Sequence, residues 1–276
     1  MPLKADLKKL TAISGRKTEQ QLIAYQKEIV NQYKIALIKM KAELASYYEQ
    51  NLSTQRLTGL IESIEQILNE AGINGINITA KGISKSANFN YDSNLKNLEA
   101  TLGVKLSFAV LEPNILNSLV ANNKFSKISW QAKGIDNINS ATRTIKNNIF
   151  QGVIQGKNYE VVAKQITRQM NIAVSDALRI VKTEVHRASN EARIMSMKKS
   201  QTAAQQLGYT SVKVWNGGES FPRNHDSMNG ISVSIDDQFT LPSGFSTDGP
   251  SLSGNPGDDV NCGCYLTFEL LELQGV

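Results

Sequence analysis

The residues best suited to chemistry are concentrated in the last quarter of the chain. One of the two histidines, His225, and both cysteines, Cys262 and Cys264, lie there. An imidazole and two thiolates are ligand types that zinc binds in proteins. The sequence therefore predicts a candidate zinc site. The candidates for a fourth ligand are Asp226, Asp258, Asp259 and His186.

A structural role is the main alternative for the same residues. The C-x-C spacing departs from the C-x₂₋₄-C knuckle of zinc sites, and a second half-site is missing from the sequence. His225 can instead donate a hydrogen bond to a loop carbonyl, while the cysteines pack as small apolar groups. With either role, His225 and the segment Asn261 to Cys264 are expected to anchor the two ends of a long loop. Two cysteines this close are not a disulfide framework, which predicts folding in a reducing cytoplasm.

A catalytic use of His225 is the third hypothesis. General acid–base catalysis needs a titratable group with a partner that holds it in place. A nuclease-like or transferase-like set can be drawn from His225, Asp226, Arg223 and Glu184. A lone histidine among polar neighbours is more often structural, so we predict no catalytic residues and no enzymatic activity.

A long helix is the element expected to position these residues. Ser175 suits its N-cap and Gly208 its end, which predicts a helix over 176–207. Its polar side carries Arg179, Thr183, Glu184, Arg187, Asn190 and Arg193. All of these except Arg193, together with Trp215 and Asn261, are interpreted as an internal polar network that holds the C-terminal module to the helix. The alternative is a solvated helix face.

The chain before this helix also has helical periodicity. The spacing predicts helices over about 18–50, from Ser53 or Thr54 to Gly72, over 113–122, from Trp130 to Gly156, and from Asn158 onward. Residues 1–17 are expected to form a mobile tail or a short helix. The glycine-containing segment 72–90 is predicted to be a loop or weak hairpin, followed by a short helix that ends at Gly103. The segment 104–110 is predicted to be a brief strand.

The pattern changes after Gly208. Two alternating segments, 211–215 and 231–235, predict strands, and the mostly apolar segment 264–271 predicts a third strand at the centre of the sheet. The fold class is therefore α+β, with a mainly α-helical N-terminal body of long helices and a small C-terminal α+β module. The predicted divisions are a helical N-terminal region over 1–134, a helical core over 135–209 that ends in the long helix, and the module over 210–276.

Charge is distributed unevenly along the 276 residues. Residues 1–209 contain 28 Lys and Arg against 16 Asp and Glu, whereas residues 210–276 contain 2 against 9. The basic part is suited to nucleic acid or an acidic protein, unless its lysines only form a solvated surface. No apolar run approaches the roughly 18 residues that span a bilayer, and the first ten residues lack the apolar core of a secretory signal.

The order of these features resembles the MuF-type minor head proteins of tailed bacteriophages. Members of that family have a helix of the pattern R-x-x-x-T-E-x-x-R-x-x-N, which here is Arg179, Thr183, Glu184, Arg187 and Asn190. A strand with a tryptophan follows, then a histidine segment, here His225, Met228 and Gly230. The family module closes with N-C-R-C, here Asn261, Cys262, Gly263 and Cys264, in which glycine replaces the arginine. The resemblance covers about 135–270.

The resemblance implies a minor capsid protein that aids head assembly and DNA packaging or ejection. The implied partners are the portal protein, the major capsid or scaffolding protein, phage DNA and further copies of the chain, with no membrane. The implied location is the capsid interior, and the host cytoplasm during assembly. No cofactor is expected beyond a zinc ion.

The rival class is a virion-carried enzyme, either a nuclease or an ADP-ribosyltransferase-like effector, because such modules also occur fused to toxin enzymes. We expect no fused toxin, since only about a dozen residues follow Cys264.

Overall fold

The architecture is that of a long-helix protein with a small sheet module, which confirms the predicted fold class. The computed structural model describes residues 5–50, 53–106, 111–121, 128–217 and 224–273. No helix within these ranges is long and apolar enough to cross a membrane. The helices are α1 (Leu7–Glu49), α2 (Thr54–Leu102), α3 (Pro113–Ala121), α4 (Trp130–Ile154), α5 (Tyr159–Gln206) and α6 (Pro256–Asp259). The strands are β1 (Tyr209–Asn216), β2 (Ser232–Ser234), β3 (Phe239–Thr240), β4 (Ser246–Thr247) and β5 (Tyr265–Glu272), and a 3₁₀ turn covers Asn224–Met228.

Several helix ends lie where the capping residues predict them. The backbone N–H of Arg56 donates to Ser53 Oγ over 3.3 Å at the start of α2. At the start of α5, the N–H of Val161 donates to Asn158 Oδ1 over 3.1 Å. Each of α2, α4 and α5 is followed by a glycine with positive φ, a conformation that costs other residues more. These are Gly103, Gly156 and Gly208.

The predicted start of the first helix is wrong. α1 begins at Leu7, and Asp6 caps it by accepting the backbone N–H of Lys9 over 3.1 Å. Thr18 lies inside the helix, where its buried hydroxyl donates to the carbonyl of Ser14 over 3.0 Å. The capping pattern at Thr18 was therefore misleading, because an internal threonine can satisfy its hydroxyl on the preceding turn.

The predicted loop over 72–90 is also wrong, because α2 continues through it. A Cβ at Gly72 would lie 2.1 Å from Ile138 Cδ1, so this glycine permits close packing between α2 and α4. In the same way, Ser175 does not begin a helix: α5 is continuous from Tyr159, and its buried stripe runs through Met170 and Ala173. Residues 104–106 are not in a strand, and the rest of that predicted strand, 107–110, lies outside the described residues.

The chain divides into two compact units, each built from separated segments. Unit 1 comprises residues 1–23, 80–129 and 181–276, and unit 2 comprises 24–79 and 130–180. These units differ from the consecutive segments 1–134, 135–209 and 210–276. The division into those three segments stays a prediction. The apolar stripe of α1 is buried as the helical spacing predicts. Its members are Tyr25, Ile29, Tyr33, Ala36, Met40, Leu44 and Tyr47.

The sheet of unit 1 has the strand order β2-β1-β5, with antiparallel pairing throughout. β5 pairs with β1 along its whole length, from Tyr209 opposite Glu272 to Asn216 opposite Tyr265. The prediction that this last strand is central is wrong, since β1 holds that place. Helix side chains cover the other edge of β5: the N–H of Phe268 donates to Thr11 Oγ1 of α1 over 3.3 Å. An apolar strand is therefore buried without a second neighbouring strand.

Candidate metal centre and the polar side chains that support it

Asn190 of α5 bonds the C-terminal module through both atoms of its amide. Its Nδ2 donates to the carbonyls of Pro250 and Cys264, each over 3.2 Å, and its Oδ1 accepts the N–H of Leu266 over 3.1 Å. Only 1% of Asn190 is exposed. One side chain thus satisfies three buried backbone groups that the loop and strand leave unpaired.

Arg193 lies one turn further along α5 and is fully buried. Its Nε donates to Asn90 Oδ1 over 2.7 Å, and its Nη1 donates to the carbonyl of Leu266 over 2.6 Å. Burial lowers the pKa of Arg193 to about 10, which the nearby Tyr265 opposes, so the guanidinium is charged at neutral pH. Arg193 is on the predicted polar side of the helix but is not among the residues predicted to form the network. Its spacing of three residues from Asn190 was the signal that it belongs there.

Thr183 anchors the loop that carries the cysteines. Its Oγ1 accepts the backbone N–H of Asn261 over 2.9 Å. Asn261 has a φ of 62°, in the left-handed region that asparagine tolerates better than most residues. The turn immediately before Cys262 is therefore fixed to α5.

Glu184 and Arg187 form a buried ion pair, with Arg187 Nε 2.8 Å from Glu184 Oε2. Arg187 also bonds Glu191 over 2.9 Å and donates to the carbonyl of Leu119 in α3. These bonds join α5 to α3, while the bonds of Thr183 and Asn190 run to the C-terminal module. The structure places Arg179 on the surface, paired with Asp176, outside the buried groups.

The three predicted zinc ligands lie together. His225 Nδ1 is 3.7 Å from Cys262 Sγ and 3.9 Å from Cys264 Sγ, and the three atoms all lie within 4.8 Å of one another. All three side chains are buried, and neither cysteine is in a disulfide. The Trp215 ring lies against the imidazole edge to face, with 5.6 Å between ring centroids. Trp215 therefore supports the candidate metal centre rather than the polar side chains of α5.

Asp258 holds the far side of the imidazole. Its Oδ1 is 3.4 Å from His225 Nε2, and its Oδ2 accepts from Ser243 Oγ over 2.9 Å and from Asn255 Nδ2 over 2.6 Å. A carboxylate bound at Nε2 cannot share an ion bound at Nδ1, because the two nitrogens point in different directions. Asp258 is therefore placed to orient the ring and not to supply a fourth ligand.

The other candidates for a fourth ligand are directed to different partners. Asp259 accepts the backbone N–H groups of Ser253 and Gly254. His186 lies 3.2 Å from Glu19. Asp226 is exposed on the 3₁₀ turn. Among the described residues, only His225, Cys262 and Cys264 form a group with metal-ligating spacing.

Cys262 is not activated as a nucleophile. The hydrogen bond that Cys262 makes with Cys264 and its burial both raise the pKa of the Cys262 thiol above its ordinary value. The pKa of His225 is also raised, chiefly by its hydrogen bond with Cys264 and against the effect of burial. In the absence of a metal, Cys262 is therefore a neutral thiol at neutral pH, unlike the thiolate of a reactive cysteine.

A cleft of about 380 Å³ borders Asn190 and Arg193. Glu19 and His186 pair within its lining, and the hydrogen bond from His186 lowers the pKa of Glu19. The members of the catalytic set considered from the sequence have separate partners: Glu184 pairs with Arg187, and His225 pairs with Asp258. Asp226 is exposed, and Arg223 lies outside the described residues.

The fold and the site together define a mainly helical protein whose small α+β module is held to a long helix by buried polar side chains. Residues 143–267 match the family model described as Phage Mu protein F like protein. This part of the chain is similar to that family, as the MuF-type resemblance predicts.

Two curated proteins are similar to this chain over part of their own length. NAD(+)--arginine ADP-ribosyltransferase EFV of Enterococcus faecalis is 28% identical over 282 residues, which cover 97% of this chain and 54% of that protein. Minor head protein GP7 of Bacillus phage SPP1 is 26% identical over 122 residues, which cover 44% of this chain and 38% of that protein. The chain thus spans about half the length of the first relative and less of the second. No solved structure gives a significant match.

Proposed function

We propose that the protein is a minor head protein of a tailed-phage particle, bound to the portal or to the inner surface of the capsid. Its role is in head assembly and in DNA packaging or ejection, and it passes through the host cytoplasm before it enters the particle. The match of residues 143–267 to the Phage Mu F family carries the proposal, and the similarity to a minor head protein of phage SPP1 supports it.

An exposed face of α5 in unit 2 is suited to a neighbouring capsid component. Val161 and Ile172 are 42% and 47% exposed, and Lys164 and Arg168 lie between them on the same side of the helix. They line an open groove of about 1,290 Å³ together with Lys41. Apolar side chains flanked by cations match a partner segment that presents apolar residues flanked by carboxylates.

Incorporation into particles tests this surface. Replacing both Val161 and Ile172 with Ser should leave stability almost unchanged, because neither side chain is buried, yet reduce incorporation about tenfold. The measurement is the copy number of the protein in purified particles by quantitative mass spectrometry. Ile231→Ser is the matched control, since Ile231 is also 42% exposed but lies in unit 1. Equal copy numbers for both variants and the wild type would rule out the surface, and absence of the wild-type protein from particles would refute the proposed function.

DNA is a further proposed partner, on the basis of the excess of Lys and Arg in residues 1–209. Part of this charge is neutralised within unit 1, where Lys8 lies 2.6 Å from Glu269 and Lys198 lies 3.8 Å from Asp236. Contact with DNA would therefore use the other exposed lysines. Association of further copies of the chain around the portal would bring these lysines together.

An enzymatic function is the second candidate, favoured by the 28% identity to a protein named as an ADP-ribosyltransferase. We propose that the transfer activity of that relative resides in the part that this chain does not match, and that this chain is not an enzyme. The test is an assay of the full chain for transfer from NAD to an arginine acceptor. Labelled acceptor above the background of a heat-denatured sample would contradict this proposal.

A further inference from the structure

We propose that His225, Cys262 and Cys264 bind one zinc ion through Nδ1 and the two sulfur atoms, with a water molecule in the fourth position. The inference is independent of the proposed function, because it depends only on the geometry of unit 1. Thiolate and imidazole ligands favour zinc over magnesium or calcium, which prefer oxygen.

The spacing of the three ligand atoms fits a tetrahedral ion. Zinc–sulfur bonds of about 2.3 Å and zinc–nitrogen bonds of about 2.05 Å place neighbouring ligand atoms about 3.5 to 3.8 Å apart. The observed separations of 3.7 and 3.9 Å between His225 Nδ1 and the two sulfur atoms are close to these values. These two nitrogen–sulfur separations need to shorten by only a few tenths of an ångström, and the two sulfur atoms lie within 4.8 Å of each other.

The surroundings fix each ligand in the orientation that an ion requires. Metal-bound histidines commonly donate their other N–H to a carboxylate, which sets the tautomer and the ring orientation. Asp258 occupies this position at His225 Nε2 and is itself held by Ser243 and Asn255.

The cysteine loop is fixed on both sides of its ligands. Thr183 holds the backbone N–H of Asn261, immediately before Cys262, and Asn190 holds the carbonyl of Cys264. Both anchoring side chains belong to α5, so the two sulfur atoms are positioned by a long helix rather than by the loop alone. Ligands held in this way lose little conformational entropy when they bind an ion.

Binding requires the release of two protons. The metal-bound form needs both sulfur atoms as thiolates and the lone pair of His225 Nδ1, with the Nε2 proton directed towards Asp258. Zinc replaces the two thiol protons, which pass to solvent, and the site gains two zinc–sulfur bonds and one zinc–nitrogen bond. No electron is transferred, so no oxidant or reductant is needed.

The ion would brace a module in which three of the five described strands are very short. β2 has three residues and β3 and β4 have two residues each, and a long loop connects them to β5. Zinc would join the 3₁₀ turn at His225 to the loop before β5, across 37 residues of sequence. In small domains of this kind, metal binding contributes directly to folding.

The test is the zinc content of the full chain, purified under reducing conditions without chelators. Elemental analysis should find about one zinc per chain in the wild type, and less than a tenth of that in Cys262→Ser and Cys264→Ser. His186→Asn is the matched control, because His186 is the only other histidine and pairs with Glu19 outside the cluster. That variant should keep the wild-type zinc content.

A second measurement uses only the wild type, so it remains decisive if the cysteine variants fail to fold. The wild type is stripped with a chelator at mild pH and reloaded with cobalt, whose absorption bands report thiolate ligands. Cobalt should produce thiolate charge-transfer bands that one equivalent of zinc abolishes, and reloading should raise the melting temperature. A wild type that contains no zinc and gives no thiolate bands with cobalt would overturn the inference, as would cysteine variants that keep a full equivalent.

Discussion

At the scale of single residues, the module depends on a few buried amide and hydroxyl groups of α5. Asn190 alone completes the hydrogen bonds of three backbone groups. Leaving such groups unpaired in a buried place costs more than the net strength of the bonds, because each group has lost its water. These residues therefore determine whether the module docks.

Asn190→Ala is predicted to lower the free energy of unfolding by about 2 to 4 kcal/mol, since it leaves buried donors and acceptors without partners. Asn171→Ala makes the same chemical change at an exposed position of the same helix and should cost less than about 0.5 kcal/mol. Urea denaturation of both variants provides the comparison. Equal midpoints for the two variants would show that Asn190 does not hold the module.

The sequence predicted which side chains of α5 take part, but it did not predict the groups that they bond. Thr183 and Asn190 could be picked out because their spacing places them on one polar stripe of α5. Their acceptors and donors are backbone groups of Pro250, Leu266 and Asn261, which carry no signature in the sequence. Asn90, the partner of Arg193, is 103 residues away and could be identified only from the fold.

At the scale of elements, the sequence predicted where helices exist better than where they stop. Ser53, Pro113 and Asn158 begin helices because each provides a local group or conformation that a helix start needs. The local sequence predicts a helix end at Gly72, because glycine lowers intrinsic helix stability. Packing against Ile138, which is not local in sequence, overrides that preference.

Gly72→Ala is therefore predicted to destabilise the protein although alanine has the higher helix propensity. The added methyl group would overlap Ile138, a buried residue that cannot move away without disturbing its neighbours, at a cost of about 1 to 3 kcal/mol. Gly59→Ala, in the same helix with nothing within 4 Å of the new atom, should be stabilising by up to about 1 kcal/mol. Thermal unfolding would reveal the opposite signs, and two shifts of the same sign would contradict the packing role of Gly72.

At the scale of the whole molecule, the basic charge of residues 1–209 allows a test of DNA contact. The full chain is predicted to bind duplex DNA without sequence preference. If binding uses four phosphate contacts, raising the salt from 50 to 200 mM would weaken it about a hundredfold. Reversing the charge of two exposed lysines of α2, in the double variant Lys85→Glu and Lys96→Glu, should weaken binding at each salt concentration. It should also reduce the dependence of the affinity on salt.

Lys39→Glu is the control for that experiment, since Lys39 already lies 3.9 Å from Glu70. Fluorescence anisotropy with labelled duplexes gives the affinities. Binding by the wild type that does not change with salt, or an equal effect of the control, would show that these lysines are only a solvated surface.

The hydrogen bond between Thr11 and Phe268 has a consequence for biosynthesis. A ribosome adds residues in order, so every segment of unit 2 has been made once residue 180 has emerged. Unit 1 cannot close its sheet before β5 appears, because β5 pairs with β1 and bonds α1. Contacts between residues so far apart in sequence form slowly. The nascent chain therefore carries the apolar residues of unit 1, including Leu7 and Leu98, uncovered until β5 has been made, and this is the interval in which a chaperone would bind.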